Sequence, residues 1–209
     1  MSLEFIEDGH RYFFGEEEIP SVSEIIRFVA KEVYGEADKF AMDQAADRGT
    51  RVHRAAEEID RTGRCECDSD IAGYARAYVR FKEDYEPVWE MIEQPVHNLY
   101  QGYAGTLDRL GKLKGINHRC IVDIKSTKRI SKKHKLLYGV QVELYADAID
   151  PYEWFEHYVL QLNEDGTYKL IELEHCENEA GACLILHKSF EKTKRRKTNG
   201  RKNSSKRSG

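Results

Sequence analysis

The sequence predicts an α/β (α+β) domain, a central mixed β-sheet flanked by helices. Three observations predict it. Residues 88–126 read as three successive strands, with stretches of helical period before and after them. Apolar residues make up 40 % of the 209-residue chain, enough for a buried core in one domain. The order of segments is helices, a three-strand meander, a helix, two strands and a helix, and such an order stacks as a sheet covered by helices.

Residues 3–14 alternate apolar and polar around Glu7-Asp8-Gly9-His10 and read as a hairpin. Ser21-Val22-Ser23-Glu24 is a capping box: Ser21 and Glu24 can each satisfy the other's backbone N–H, which opens a helix to about residue 33. A second helical stretch covers 37–61, with Gly49 as a possible break. Residues 65–70 form a loop. Residues 71–85 have helical period, and Ala72, Ala75, Tyr78, Val79 and Lys82 fall on adjacent turns. Strands follow over 88–100, 103–113 and 119–126, the last two joined by Lys114-Gly115-Ile116-Asn117. Residues 136–149 return to helix, 154–162 and 167–173 pair around Glu164-Asp165-Gly166, and 178–191 form the last helix. Trp89, Trp154 and Phe155 are expected in the core, and Tyr74, Tyr78, Phe81 and Tyr85 form a packing stripe. There is no internal repeat.

Composition narrows the function classes. No apolar run approaches the roughly 18 residues of a membrane span. The acidic start, Met-Ser-Leu-Glu-Phe-Ile-Glu-Asp, does not read as a secretory signal, so the expectation is a soluble, cytoplasmic protein with no membrane partner. Five cysteines without a paired CxxC set argue against a disulfide scaffold or a zinc site of the usual spacing. The net charge of −4 divides unevenly: residues 188–209 hold ten Lys/Arg and one acid, +9, which leaves −13 on residues 1–187. We therefore expect a folded domain over 1–187 and a basic, flexible tail over 188–209. An acidic body approaches a polyphosphate only with local positive charge, from bound metal ions or a basic segment. The tail is either such a segment or a solvated end.

The chemistry gathers around Asp123-Ile124-Lys125. On a strand, Cys120, Val122 and Ile124 face one side while Ile121, Asp123 and Lys125 face the other. An acid and an amine then emerge together at the strand's end: a ligand for a hard cation, and a group to orient or deprotonate a water. The preceding strand carries Gly105-x-x-Asp108 and brings a second aspartate alongside. Two carboxylates in one pocket repel unless a cation neutralises them, and Mg²⁺ and Mn²⁺ take such oxygen ligands. Gly49, His53 and Glu57 share a helix face at i, i+4 spacing, and Gln141 and Tyr145 stand one turn apart on the helix after the Asp-x-Lys strand. Arg109 and Lys128 flank the site and read as surface charges. His97, His118, His134, His157, His175 and His187 have no convergent partners in the sequence.

The motifs Gly49-x-x-x-His53, Gly105-x-x-Asp108, Asp123-Ile124-Lys125 and Gln141-x-x-x-Tyr145, in that order, resemble the RecB-like branch of the PD-(D/E)xK nuclease superfamily. Ile19-Pro20-Ser21-Val22-Ser23-Glu24-Ile25-Ile26 resembles the segment that opens phage-type exonucleases of this branch. The resemblance covers residues 10–162. It implies a restriction-endonuclease-like core and a metal-dependent DNA nuclease, an exonuclease on single-stranded or end-bearing DNA. It further implies that His53, Asp108, Asp123 and the Ile124 carbonyl bind Mn²⁺ or Mg²⁺, the histidine favouring manganese. Lys125 would position or activate the attacking water, Gln141 and Tyr145 would orient Lys125 or contact the DNA backbone, and Glu57 would support them. Some relatives hold an iron–sulfur cluster with one cysteine before the nuclease motifs and three after. Here no cysteine precedes Cys65, and only Cys176 and Cys183 follow the nuclease core, so no cluster is expected. A structure-selective endonuclease and a non-catalytic nucleic-acid-binding module remain as alternatives.

Overall fold

The central sheet has five strands, β4 (Val88–Asn98), β5 (Tyr103–Lys112), β6 (Cys120–Lys125), β7 (Glu156–Leu162) and β8 (Tyr168–Glu172), in that spatial order. It is mixed: β6 and β7 run parallel, and the other neighbours are antiparallel. A separate three-stranded antiparallel sheet is built from β1 (Leu3–Ile6), β2 (Arg11–Phe14) and β3 (Glu17–Ile19). The helices are α1 (Val22–Ile25), α2 (Arg27–Tyr34), α3 (Lys39–Thr62), α4 (Ala72–Tyr85), α5 (Lys132–Ile149) and α6 (Glu177–Ser205). This computed structural model describes residues 3–6, 11–35 and 39–205, and the side chains of Lys39 and of 194–205 are outside that description. The expected turn at Glu7 to His10, the start of the second helix at residue 37 and most of the basic tail's side chains therefore lie outside the described residues. The α/β class read from the sequence is the one the chain adopts.

Sheet alternation sorts the core into two layers. Cys120, Val122 and Ile124 of β6 pack with Leu160 and Leu162 of β7 against Val52, Ala56 and Ile59 of α3 and Tyr74, Tyr78 and Phe81 of α4. On the other face, Leu110, Ile121 and Val159 pack against Val22 and Ile25 of α1, Val140 and Leu144 of α5, and Cys183 and Leu184 of α6. Both faces of β6 are thus covered, as its near-continuous apolar run requires beside a parallel neighbour. A side chain such as Phe81 or Leu144, buried from water, contributes roughly 1.5–3 kcal/mol.

Local differences from the sequence reading have local causes. The Ser21–Glu24 capping box forms, but the helix it opens ends at Ile25, and α2 restarts after Ile26. Helix α3 runs through Gly49 without a break. Helix α5 starts at Lys132, four residues earlier than expected, because Ser131 caps it with His134 in the place a Glu would usually take (Ser131 Oγ to His134 Nδ1, 2.7 Å). Helix α6 extends to Ser205, into the basic segment. Trp154, expected in the core, is about half exposed at 55 %.

Candidate active site

Strands β5 and β6 pair from Gly111↔Cys120 to Arg109↔Val122. One residue beyond that ladder, the Ile124 N–H donates to the Asp108 carboxylate, with Ile124 N 2.6 Å from Asp108 Oδ2. A side chain here takes the bond that a strand carbonyl would otherwise accept. Asp108 is thereby fixed beside β6, and Asp123 and Lys125 emerge next to it.

His53 reaches this point from α3. Its Nε2 lies 3.0 Å from the Ile124 carbonyl oxygen, and its Nδ1 lies 3.2 Å from Glu93 Oε1 and 3.6 Å from Asp108 Oδ1. One donor atom from each of His53, Glu93 and Asp108 falls within 4.8 Å of the others. Burial disfavours a charge on His53, but the Asp108 and Glu93 carboxylates outweigh it and raise the imidazole above its ordinary range. Burial, then the neighbouring Asp123 and Glu93, push the Asp108 carboxyl upward against the pull of His53. The fold thus holds the Glu93 and Asp108 carboxylates close together, a pairing that a cation relieves. Two carboxylates, one imidazole and an adjacent carbonyl suit a divalent ion such as Mn²⁺ or Mg²⁺. The residues present fit that group.

Asp123 lies outside the converging trio. Its carboxylate oxygens sit 2.9 and 2.8 Å from Lys125 Nζ, and the ammonium stands 5.1 Å over the Tyr138 ring. Burial opposes the lysine's charge, but Asp123 and Asp108 outweigh it and push the ammonium above its ordinary range. Held there, Lys125 can donate hydrogen bonds and offset phosphate charge. Gln141 Nε2 donates to the Tyr145 hydroxyl at 3.2 Å, and neither has a hydrogen bond to Lys125 among the described residues. Gly105 has a packing role: a Cβ there would lie 2.7 Å from Tyr145 Cε1 and 3.0 Å from Val22 Cγ2. The glycine of the Gly105-x-x-Asp108 motif is the space in which the Tyr145 ring seats on β5. The site opens into a cavity of about 380 Å³ whose walls include Phe5, Tyr12, His53, Asp108, Lys125 and Gln141. Gly49 and Glu57 line it too, although Glu57 is also paired with Arg61 at 2.7 Å.

The sequence reading missed Glu93, Tyr138 and the true place of Arg109. Glu93 sits opposite Asp108, between the pairs Ile92↔Arg109 and Gln94↔Leu107. Its φ of 45° is rare for a side-chain-bearing residue, and such strain concentrates at functional sites. Two acids facing each other across strands would have been the usable signal, since like charges there are destabilising without a cation. Arg109 is not a surface charge: it is fully buried, with Nε 2.8 Å from Asp60 Oδ2 and Nη1 2.8 Å from Glu93 Oε1. It holds Glu93 toward His53. Lys128 lies at a different depression, with Tyr74 and Glu164.

No family model matches the chain, and no curated protein matches it. Solved structures give looser likenesses. One is SSO0001, at 14 % identity and a TM-score of 0.43, covering 85 % of this chain and 79 % of that one. Another is an alkaline exonuclease from Laribacter hongkongensis, at 14 % identity and a TM-score of 0.38, covering 76 % of this chain and 98 % of that one. At this distance neither neighbour assigns an activity or a residue role to this chain. No helix among the described residues is long and apolar enough to cross a membrane.

Proposed function

We propose that this chain is a metal-dependent nuclease that hydrolyses DNA phosphodiester bonds, acting as an exonuclease on single-stranded or end-bearing DNA. The supporting observation is the convergence of His53, Glu93 and Asp108 on one another, with His53 also at the Ile124 carbonyl and the Asp123–Lys125 pair beside them at an open cavity. The preference for DNA ends rests on the motif resemblance alone.

His53, Glu93, Asp108 and the Ile124 carbonyl would hold Mn²⁺ or Mg²⁺, which supplies a bound water of lowered pKa and charge stabilisation at the phosphate. The chain's own residues do the rest. Lys125 donates hydrogen bonds to the nucleophilic water or a phosphate oxygen, and its charge opposes the negative charge that builds up there. Asp123 and the Tyr138 ring hold that ammonium in place. Arg109 and the Ile124 N–H fix the Glu93 and Asp108 carboxylates. Gln141, which donates to the Tyr145 hydroxyl behind it, lines the wall along which the DNA backbone would lie.

The test is digestion of end-labelled linear single-stranded DNA with Mn²⁺ or Mg²⁺. Asp108→Asn and Lys125→Ala should each lose on the order of a hundredfold to a thousandfold in rate, and a chelator should abolish cleavage. Equal rates in all three proteins would refute the site. Cleavage of covalently closed circular single strands would replace the exonuclease reading with an endonuclease. DNA binding without cleavage under any metal would leave a binding module.

A further inference from the structure

A second group of ligating side chains lies under α5, on the same sheet face as Asp123. Strand β7 runs parallel to β6 with His157 beside Ile121, Val159 beside Asp123 and Gln161 beside Lys125. His157 therefore points to the α5 side, two residues from Asp123 toward the strands' N-terminal ends. It is 1 % exposed, and neither ring nitrogen has a hydrogen-bond partner among the described residues. Buried imidazoles ordinarily place at least one nitrogen on a partner.

What surrounds it is a set of metal-ligand donors. Glu143 Oε2, from α5, lies 3.7 Å from His157 Nδ1 and 3.5 Å from His175 Nδ1. The backbone N–H of Cys176 donates to that same oxygen at 2.9 Å, which fixes the carboxylate. His175 follows β8 and stacks on His157 with ring centroids 4.3 Å apart, and Trp154 covers its other side at 4.0 Å. One donor atom from each of Glu143, His157 and His175 lies within 4.8 Å of the others. All three line a cavity of about 380 Å³ that Asp147 and Trp154 also border.

We propose that Glu143, His157 and His175 form a second metal site, separate from the His53 cluster, that takes a late first-row divalent ion of the zinc type. The donor chemistry sets the class. Two imidazoles and one carboxylate are a borderline-soft set that suits Zn²⁺ over Mg²⁺, and three protein ligands leave one position of a tetrahedron open. The open position faces the cavity, where a water or a small anion fits. One of the two unpartnered nitrogens of His157 gains a bond, and the ion ties α5 to β7 and to the segment that leads into α6. The proposal does not depend on nuclease activity.

The full chain carrying Asp108→Asn, which disables the first cluster, is stripped with chelator and titrated with Zn²⁺ by calorimetry and with Co²⁺ by visible absorption. We expect one equivalent bound, a tetrahedral Co²⁺ spectrum, and a melting temperature that rises with Zn²⁺ concentration. Adding His175→Gln, at a partly exposed position that should not disturb folding, should weaken binding at least tenfold, and His157→Leu should abolish the Co²⁺ spectrum. An Asp108→Asn chain that binds no Zn²⁺ would overturn the site. So would affinity left unchanged by both His175→Gln and His157→Leu, which would leave the three rings as a packing stack.

Discussion

Asp123, beside the first cluster, and His157, in the second, face the same side of the sheet under α5, but the two clusters are built on opposite principles. In the first, neighbours brace every ligating group. His53 spans the Ile124 carbonyl and Glu93, Arg109 holds Glu93, the Ile124 N–H holds Asp108, and Lys125 holds Asp123. In the second, Glu143 is held by the Cys176 N–H, and the most buried member, His157, makes no hydrogen bond among the described residues and lies 3.7 Å from Glu143. A braced network keeps its geometry with or without an ion, as supporting partners do around metal sites. An unbraced buried imidazole is a standing cost that an ion would remove. The first cluster is organised by the fold, and the second would be organised by what it binds.

That contrast can be broken at several points. The largest effect is expected at the brace itself. Arg109→Met leaves Asp60 and Glu93 without their buried partner and should lower unfolding free energy by about 3–5 kcal/mol in urea titrations; a loss under 1 kcal/mol, about the worth of an exposed pair, would show that the brace is idle. Next, Glu93→Gln keeps the shape but removes a ligand charge. Mn²⁺ affinity by calorimetry should fall about 10- to 100-fold, and an unchanged affinity would remove Glu93 from the site. In chelator, His157→Leu should behave oppositely to Arg109→Met. Replacing an unpartnered imidazole with an apolar group should leave stability within about 1 kcal/mol of wild type, or raise it. A loss as large as that of Arg109→Met would mean that the two clusters are alike.

Cys120, on the far face of β6, supplies the smallest effect and a control outside both clusters. Burial, then Glu156, push its thiol up to about 12 from an ordinary 9. Above pH 9 the unfolded chain gives up this proton while the folded chain keeps it. Its contribution is therefore fully present below pH 9 and is lost as pH rises toward 12, with a slope of at most about 1.4 kcal/mol per pH unit. Urea titrations at pH 7, 9 and 10.5 should show a shallower alkaline decline in Cys120→Ala than in wild type. Identical slopes would mean that the thiol is not shielded.

The legible part of the molecule was the part written in short-range pattern. Strand alternation separates Asp123 and Lys125 from Val122 and Ile124, and the hairpin from β5 brings Asp108 alongside, so the centre of the first cluster could be read directly. The Ser21 capping box was legible for the same reason. Glu93 was not, because it is one of two acids on β4 and only its positive φ and its register opposite Asp108 set it apart. Arg109 read as a surface charge because nothing near it in sequence shows Asp60, which comes from another element. Glu143, His157 and His175 come from a helix, a strand and the segment after another strand, with no common spacing. Their convergence follows from α5 packing on β7 and from the β7–β8 pairing, and the parallel β6–β7 register sets them beside the first cluster; no local pattern records either.

That register also bears on the order in which the molecule assembles. Strands β4, β5 and β6 follow one another through short turns, so their contacts close small loops and form with little loss of chain entropy. The contact between Asp108 and Ile124 belongs to this group, only 16 residues apart. The β6–β7 pair must wait for the whole of α5 to cross over, and the His53–Ile124 contact spans 71 residues. By this measure the carboxylate end of the first cluster closes a short loop, and so does the second cluster, whose three ligands fall within residues 143–175, whereas His53 reaches the first cluster only through long-range closure of the chain.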